Sequence, residues 1–325
     1  MKKLLLAALL AVTTLFAAPT ITIGTGGING NYYPMGNDIA TIFDKSNSDI
    51  EKHCKYPINI EIVEGKGSVH NLKQITTKKI NAGVVQMDVL MYQKRLHPGK
   101  INDKKLKIIA GLHKESLHLL MPLNFRPTEP KSSGWSSVFS SFTADKPVKM
   151  ELSSLTNQTI ESKGGSVISA KAISSFNNLN AKVVNTEGKW SGKNPILLVG
   201  GQPYKEVQDL LSTGKYTLIA LNYSNIKAAA PFYLETTLSY SMGGHTIEVP
   251  SVGVQALLVG KQARSNRKNL KMSQLSTCLA DQDILGEMSD RDDTNSNWDS
   301  VYDLNQNDIN IDWDTFPLVE DYDKE

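Results

Sequence analysis

Residues Ile21–Gly36 read I-T-I-G-T-G-G-I-N-G-N-Y-Y-P-M-G, and this stretch decides the fold. Its β-branched start is typical of a strand, and the glycines that follow allow a sharp turn close to a ligand. Pro34 suits the first turn of a helix, which continues with helical apolar spacing to Phe43. Because the first N–H groups of a helix lack internal partners, this order of elements predicts a turn that favours anions.

The turn matches no specific phosphate motif. The dinucleotide pattern G-x-G-x-x-G, counted from Gly24 and Gly26, requires a third glycine where Asn29 stands. No Gly-Lys-Ser/Thr triplet closes the loop either. Taken alone, the stretch fits a tight turn between a buried strand and a helix better than it fits a binding site.

Two further stretches repeat the same order of elements. The alternating strand Ile58–Val63 leads into a glycine turn ending at Ser68 and then into a helical pattern. The stretch 155–160 leads in the same way into Gly164-Gly165-Ser166 and another helical run. Three such helix starts in one chain suggest an anionic ligand held between two domains.

The remaining strand signals indicate an α/β protein with mostly parallel sheets. A short buried strand, Asn81–Gln86, places Gln86 and Asp88 at its carboxyl end, where open α/β sheets bind ligands. The apolar runs 106–112 and 117–121 predict two more strands, or one long run into a second domain.

Composition describes an ordinary globular chain. Its 325 residues are enough for two domains, with 40% hydrophobic and 21% charged residues. A formal charge of +2 gives no reason to expect nucleic acid as a partner.

The beginning of the chain has the pattern of a secretory signal peptide over residues 1–18. Lys2 and Lys3 precede an apolar segment that is too short to span a bilayer, and cleavage is expected after Ala17 or Ala18. The mature protein is therefore expected to be periplasmic. That compartment permits a disulfide between Cys54 and Cys278, although two buried free thiols fit the sequence as well.

Several ordered motifs together resemble one family. They are Gly24-Thr25-Gly26-Gly27, Tyr32-Tyr33-Pro34, Gly67-Ser68-Val69 with Asn71, and the strand end 82–88. These motifs are similar to those of the TAXI branch of TRAP-transporter solute receptors. Weaker likeness extends to Gly200-Gly201-Gln202-Pro203 and Pro250–Val254, whereas residues 126–149 look like an insertion relative to the family.

The resemblance implies a two-lobe, type II periplasmic-binding-protein fold with mostly parallel sheets and a ligand cleft between the lobes. The expected organisation is a signal peptide at 1–18, lobe 1 from 19–116 and 228–289, lobe 2 from 117–227 with the insertion 126–149, and an acidic C-terminal tail at 290–325. By resemblance, the ligand-binding residues are Thr25, Gly26, Gly27, Tyr33, Ser68, Gln86, Gly165, Ser166 and Gln202.

The chemistry of these residues agrees with a carboxylate ligand, because hydroxyls and helix-start N–H groups bind such anions. Lys66 and Lys163 each lie in a glycine-serine turn, and a cation from each lobe would favour a dianion. Both residues also fit the simpler interpretation of solvated turn lysines, which is favoured.

Neither enzyme chemistry nor a metal site is indicated. Ser68 and Ser166 are not in G-x-S-x-G, and the six histidines form no i, i+4 ligand pair on a helix. The aspartates from Asp281 onward lack the glycine and final glutamate of a calcium loop. We therefore expect no catalytic residues, no metal and no cofactor.

Two functions of different class remain. The first is a monomeric receptor that closes over a small organic anion, either a glutamate-like amino acid or a dicarboxylate, and delivers it to TRAP membrane permease subunits. The second is an exported protein on the same scaffold with an interaction or sensory role instead of transport.

Overall fold

The computed structural model describes residues 20–56, 58–127, 150–242, 244–303 and 311–322. The predicted signal peptide and nearly all of the predicted insertion lie outside these residues. Within the described part, ten strands form one continuous mixed sheet with helices on both faces. No helix in the same part is both long and apolar enough to cross a membrane.

The elements follow one another as the glycine turns predict. The strands are β1 (Thr20–Gly24), β2 (Asn59–Val63), β3 (Ala82–Gln86), β4 (Leu106–Pro122), β5 (Thr159–Ser162), β6 (Lys182–Asn185), β7 (Ile196–Gly200), β8 (Tyr216–Leu218), β9 (Tyr233–Met242) and β10 (His245–Lys261). The helices are α1 (Tyr32–Phe43), α2 (Ser68–Thr76), α3 (Met87–Leu96), α4 (Ser166–Phe176), α5 (Lys205–Ser212), α6 (Tyr223–Ala229), α7 (Asn266–Cys278), α8 (Gln282–Asp290), α9 (Trp298–Asp303) and α10 (Val319–Tyr322).

The sheet contains the same strand order twice. In lobe 1 the order is β2-β1-β3-β10-β4, in which β10 is antiparallel to both of its neighbours. In lobe 2 the order is β6-β5-β7-β4-β8, in which β4 is the antiparallel strand. In each lobe, the first of three parallel strands lies between the second and the third, as in β2-β1-β3 and β6-β5-β7. A strand from elsewhere in the chain adds the antiparallel neighbour.

The long strand β4 joins the two lobes. Its first part pairs with β10 as far as Ser116, and its last part pairs with β7 and β8. Ser116 pairs with Gly253 on one side and with Gly200 on the other, so the chain passes from lobe 1 to lobe 2 at this residue. The two apolar runs of the sequence are thus one strand.

Local patterning explains the first strand and helix. Ile21 and Ile23 are buried on β1 while Thr20 is exposed, as expected for alternating side chains. Met35, Ile39 and Ile42 are fully buried at helical spacing on α1. This apolar face packs in a cluster that also contains α7, α8 and Trp298, on one face of the lobe 1 sheet.

The opposite face of the sheet is covered by one cluster that both lobes share. It includes Leu72 and Leu90 from lobe 1 and Ile160 and Ile173 from lobe 2. Helices α3 and α4 pack against each other across this boundary, where Arg95 donates to the Ser175 carbonyl at 3.0 Å. The lobes are therefore connected by apolar packing as well as by strands.

Cys54 and Cys278, which are 224 positions apart in sequence, form a disulfide with their Cα atoms 5.5 Å apart. Of the two alternatives that the sequence left open, the structure has the bridge. It ties the segment after α1 to the end of α7 within the lobe 1 cluster.

The C-terminal segment corrects the expectation of a solvated acidic tail over 290–325. Trp298, Trp313 and Phe316 are buried, and Phe316 donates its N–H to the Ile108 carbonyl of β4 at 2.8 Å. The Trp298 indole N–H donates to Asp38 of α1 at 2.8 Å. The described residues of this segment, 290–303 and 311–322, therefore belong to the packing of lobe 1.

The hairpin that follows α6 packs against lobe 2. Strand β9 and the first part of β10 form a hairpin whose Leu238 and Tyr240 pack with α5 and β8 of lobe 2. Gln202 Nε2 donates to the Thr237 carbonyl of β9 at 3.2 Å. Residues of this hairpin thus contact lobe 2, although the sequence placed them in lobe 1.

Candidate functional site

The candidate site lies where the carboxyl ends of the parallel strands of both lobes meet. In lobe 1, β1 leads to the start of α1, β2 to the start of α2, and β3 to the start of α3. In lobe 2, β5 leads to the start of α4, and β7 to the turn before α5. Ligands of open α/β sheets bind at these strand ends.

Gln86, the last residue of β3, connects the two lobes. Its backbone N–H donates to Ser68 Oγ at 3.0 Å, and its Nε2 donates to Glu115 Oε2 at 2.6 Å. Its Oε1 accepts a hydrogen bond from the hydroxyl of Ser169 on α4 at 3.2 Å. Two residues predicted for the site, Ser68 and Gln86, are therefore in direct contact.

Glu115 is a site residue that sequence reasoning missed. It lies on β4 beside the crossover residue Ser116, is only 7% exposed, and accepts a second hydrogen bond at Oε2 from the Tyr32 hydroxyl at 2.9 Å. Both bonds join residues far apart in sequence. The available signal was the polar run His113–Ser116 that interrupts two apolar runs of one strand.

His113 lies two residues before Glu115 and is fully buried. Its Nε2 is 3.9 Å from Glu115 Oε1, and its ring packs edge-on against Tyr32 at 5.8 Å between centroids. Neither ring nitrogen of His113 has a hydrogen-bond partner among the described residues. A buried polar atom of this kind normally has a partner.

Tyr32, rather than its neighbour Tyr33, has its side chain in this network. Burial raises the pKa of the Tyr32 phenol well above its usual value, and the nearby charge of Glu115 raises it further. The phenol therefore remains a protonated donor to Glu115. Tyr33, the residue expected to form a wall of the site, is half-buried at the start of α1.

Asp88 is a second buried carboxyl group beside Gln86. Burial raises its pKa to about 6, opposed by hydrogen bonds from Ser169 and from the Val89 N–H. The Tyr233 hydroxyl also donates to Asp88 Oδ2 at 3.4 Å. Because the Ser169 hydroxyl has one proton, it can donate to Gln86 or to Asp88, but not to both at once.

The predicted glycine turn of lobe 1 is held by its own backbone contacts. Thr25 is buried, and its hydroxyl donates to the Val63 carbonyl at 3.0 Å. Asn71 Nδ2 lies within hydrogen-bond distance of the carbonyls of Gly24, Thr25 and Val84. Gly26 is buried beside this turn, whereas Gly27 is exposed. These contacts fix the shape of the turn in front of α1.

Two glycines before helix starts have positive φ values that other residues rarely adopt. Gly67 precedes α2 with φ of 78°, and Gly164 lies two residues before α4 with φ of 57°. The backbone N–H groups of the first turn of each helix follow directly.

The lobe 2 residues that were predicted for the site lie at two neighbouring strand ends. Ser166, the first residue of α4, is buried and its Oγ accepts from the Val199 N–H at 2.9 Å, while Gly165 is exposed. Gln202 donates through Nε2 to the Ser116 hydroxyl at 2.8 Å, next to Glu115. Ser166 and Ser169 share one face of α4, since they are three residues apart.

The two lysines differ in their surroundings. Lys163 forms an ion pair with Glu206 of α5 and lies over the Trp190 ring, with Nζ 5.2 Å from its centroid. Lys66 is exposed in the turn before α2. Lys163 is therefore already neutralised within lobe 2, which weakens the argument for a pair of cations facing a dianion.

The described residues include no group of three or more His, Cys, Asp or Glu side chains arranged to hold a metal ion. The site instead consists of hydroxyls, amides and two buried carboxyls. Such an arrangement can bind a small polar solute through hydrogen bonds, and its carboxyls can accept hydrogen bonds from a donor group.

Residues 23–129 match the NMT1-like family. This match covers less than half of the chain and includes the turns before α1 and α2, Gln86 and Glu115. The strand order and the crossing strands are those of a two-lobe, type II solute-binding fold.

Solved structures with a similar course include a TctC solute-binding protein from Polaromonas, with 14% identity, a TM-score of 0.43, and 85% of this chain and 89% of that chain covered. A protein from Listeria monocytogenes described as an L-cystine ABC transporter has 10% identity and a TM-score of 0.43, with 84% and 92% covered. The ligand-binding component of an ABC-type import system from Staphylococcus aureus has 11% identity and a TM-score of 0.38, with 88% and 82% covered.

Proposed function

We propose that this protein is a periplasmic solute-binding receptor that captures a small organic anion between its lobes. The observation that carries the proposal is the meeting of strand ends from both lobes at Gln86, which contacts Ser68 and Glu115 of lobe 1 and Ser169 of lobe 2. A solute that contacts both sides of this boundary would stabilise the closed arrangement of the lobes, which is a population shift toward that state.

The ligand carboxylate is proposed to bind at the starts of α2 and α4. Unpaired backbone N–H groups and the helix dipole favour negative charge there, and Ser68 and Ser166 add hydroxyl groups. Thr25, Gly26, Gly27, Tyr33, Gly165 and Gln202 remain the proposed ligand-binding residues around them. Lys66 could still attract an anion from the mouth of the cleft, because it is exposed.

Delivery to a TRAP-type membrane permease is the finer part of the proposal. It rests on the resemblance of the ordered motifs to TAXI receptors and on the expected signal peptide at residues 1–18. In this role the closed, liganded receptor would be the form that the permease subunits recognise, and the protein would act as a binding protein rather than an enzyme.

The test uses the mature chain from residue 19, purified and examined by native mass spectrometry and then by thermal shift against a panel of amino acids and dicarboxylates. A ligand at one hundred times its dissociation constant stabilises the folded state by about 2.7 kcal/mol and raises the melting temperature. Gln86→Ala should abolish this shift. Gln262→Ala, at an exposed glutamine outside the site, should preserve it.

A second candidate, an exported protein with an interaction or sensory role, is favoured by the apolar cluster that both lobes share across α3 and α4. Wide opening would expose that cluster to water. A transport receptor would need free energy for this exposure each time it opens. Absence of a retained ligand and of any thermal shift across the panel would favour this second function over the first.

A further inference from the structure

Two acceptor groups at the lobe boundary, the Glu115 carboxylate oxygen Oε1 and the buried His113 ring, have no hydrogen-bond donor among the described residues. Glu115 accepts hydrogen bonds from Tyr32 and Gln86 through Oε2 alone. No described residue donates a hydrogen bond to Oε1, which faces His113 Nε2 at 3.9 Å. That distance is too long for a hydrogen bond between the two side chains.

The imidazole of His113 independently supports a ligand at this position. Its side chain is fully buried, and both ring nitrogens lack a partner among the described residues. One ring nitrogen of a neutral imidazole is an acceptor. Two acceptors 3.9 Å apart can be bridged by one nitrogen that carries two N–H groups and lies at about 2.8 to 3.0 Å from each.

We propose that Glu115 Oε1 and His113 Nε2 bind the ammonium group of the solute, so that the solute is an amino acid rather than a dicarboxylate. This inference rests on the proposed receptor function and selects between the two ligand classes named there. The remaining charges point the same way, because Asp88 is a second carboxyl group beside Gln86 and the Lys163 ammonium is paired with Glu206.

The position of Glu115 also fits such a subsite. It lies next to Ser116, where β4 passes between the lobes, and its partner Gln86 contacts Ser169 of lobe 2. An ammonium at Oε1 would thus lie close to the starts of α2 and α4, where the carboxylate of the same amino acid is proposed to bind.

The test compares matched pairs of probes by isothermal titration calorimetry: L-glutamate with 2-oxoglutarate, L-alanine with pyruvate, and L-leucine with 4-methyl-2-oxopentanoate. Each pair has the same skeleton and carboxylates and differs in ammonium against carbonyl. Within the pair that binds, the amino acid should bind about 10-fold to 100-fold tighter, as expected for charge-assisted hydrogen bonds.

Glu115→Gln is the informative variant. Its carbonyl oxygen can keep the bonds from Tyr32 and Gln86, while its NH₂ replaces Oε1 and can only donate. It should remove the preference for the amino acid, because the NH₂ group cannot accept from an ammonium but can donate to the carbonyl oxygen of the oxo acid. Glu235→Gln, at an exposed glutamate of β9, is the matched control and should change neither affinity.

Equal or tighter binding of the oxo acid by the wild-type protein would overturn the inference and leave the receptor function intact. Retention of the amino-acid preference in Glu115→Gln would also overturn it. The wild-type comparison needs no variant, so a failure of Glu115→Gln to fold would not prevent the test. Binding of no member of any pair would count against the receptor function itself, and the inference would fall with it.

Discussion

Ser169 of lobe 2 donates its hydroxyl proton to Gln86 Oε1 of lobe 1 across 3.2 Å. The bond joins helix α4 to the last residue of β3, and both residues are buried. The lobe boundary is therefore closed by side chains of the protein itself at the place where a solute is proposed to bind. A solute that enters must exchange its own polar groups for some of these contacts.

Replacing Ser169 with Ala tests this closure. The change removes the hydroxyl that can donate to Gln86 Oε1 or to Asp88, and we expect a loss of about 1 to 2 kcal/mol in the free energy of unfolding. It should also raise the fraction of open molecules, visible as a larger radius of gyration in small-angle X-ray scattering. Ser212→Ala, at an exposed serine of α5, should change neither quantity. An unchanged radius would show that the Gln86 contact does not hold the lobes together.

The disulfide should contribute strongly to stability, because it joins residues 224 positions apart. Closing so long a loop restricts the unfolded chain, and loss of a native bridge typically costs about 2 to 5 kcal/mol. The double variant Cys54→Ser, Cys278→Ser should therefore melt at a lower temperature than the oxidised wild type. Dithiothreitol should lower the melting temperature of the wild type and leave that of the double variant unchanged. Equal melting temperatures for both proteins would contradict the prediction.

The sequence predicted the strands and helix starts well where the signal was local. β1, β2 and β3 follow from apolar patterning, and Gly67 occupies a backbone position with positive φ that favours glycine. Glu115 could not be found in this way, because its hydrogen bond to Tyr32 spans 83 residues. A glutamate within an apolar strand indicates that its carboxylate has hydrogen-bond partners, but the neighbouring sequence does not identify them.

The C-terminal segment shows a different reason for a wrong prediction. Its many Asp and Asn residues are typical of a solvated tail, and this average concealed three aromatic residues that bury their rings in lobe 1: Trp298, Trp313 and Phe316. The indole of Trp298 finds its hydrogen-bond acceptor in Asp38, 260 residues away. Composition over a long window therefore predicted the wrong state for a segment held by a few large side chains.

Trp298→Ala tests the role of this segment in lobe 1. Trp298 is fully buried, so truncation to Ala should cost about 3 to 5 kcal/mol in the free energy of unfolding. Trp298→Phe keeps most of the ring but removes the N–H donor to Asp38, and we expect a smaller loss of about 1 to 3 kcal/mol. Urea denaturation measures both. Tyr302, 45% exposed on the same helix α9, serves as control, since Tyr302→Ala should cost less than about 0.5 kcal/mol.

Two buried groups should give the stability of the protein opposite responses to pH. Burial raises the pKa of Asp88 to about 6 from an unfolded value of 3.8, so the folded state holds the proton more tightly. The stability from Asp88 is present below pH 3.8 and is lost as pH rises through 6. Burial lowers the pKa of His118 to about 4 from 6.5, so its contribution is present above pH 6.5 and is lost as pH falls through 4. Each shift corresponds to about 3 kcal/mol.

Because the two contributions oppose each other over the same interval, the wild type should show a shallow dependence of stability on pH between 4 and 6.5. Asp88→Asn should expose the His118 response, so that stability falls as the solution is acidified. His118→Phe, which keeps a ring between Tyr204 and Tyr240, should expose the Asp88 response, so that stability rises on acidification. Urea denaturation at about pH 4, 5, 6 and 7 measures how the free energy of unfolding of each protein changes with pH. Asp292→Asn, at an exposed aspartate, should retain the wild-type profile, and parallel profiles for all four proteins would show that neither buried group titrates in this range.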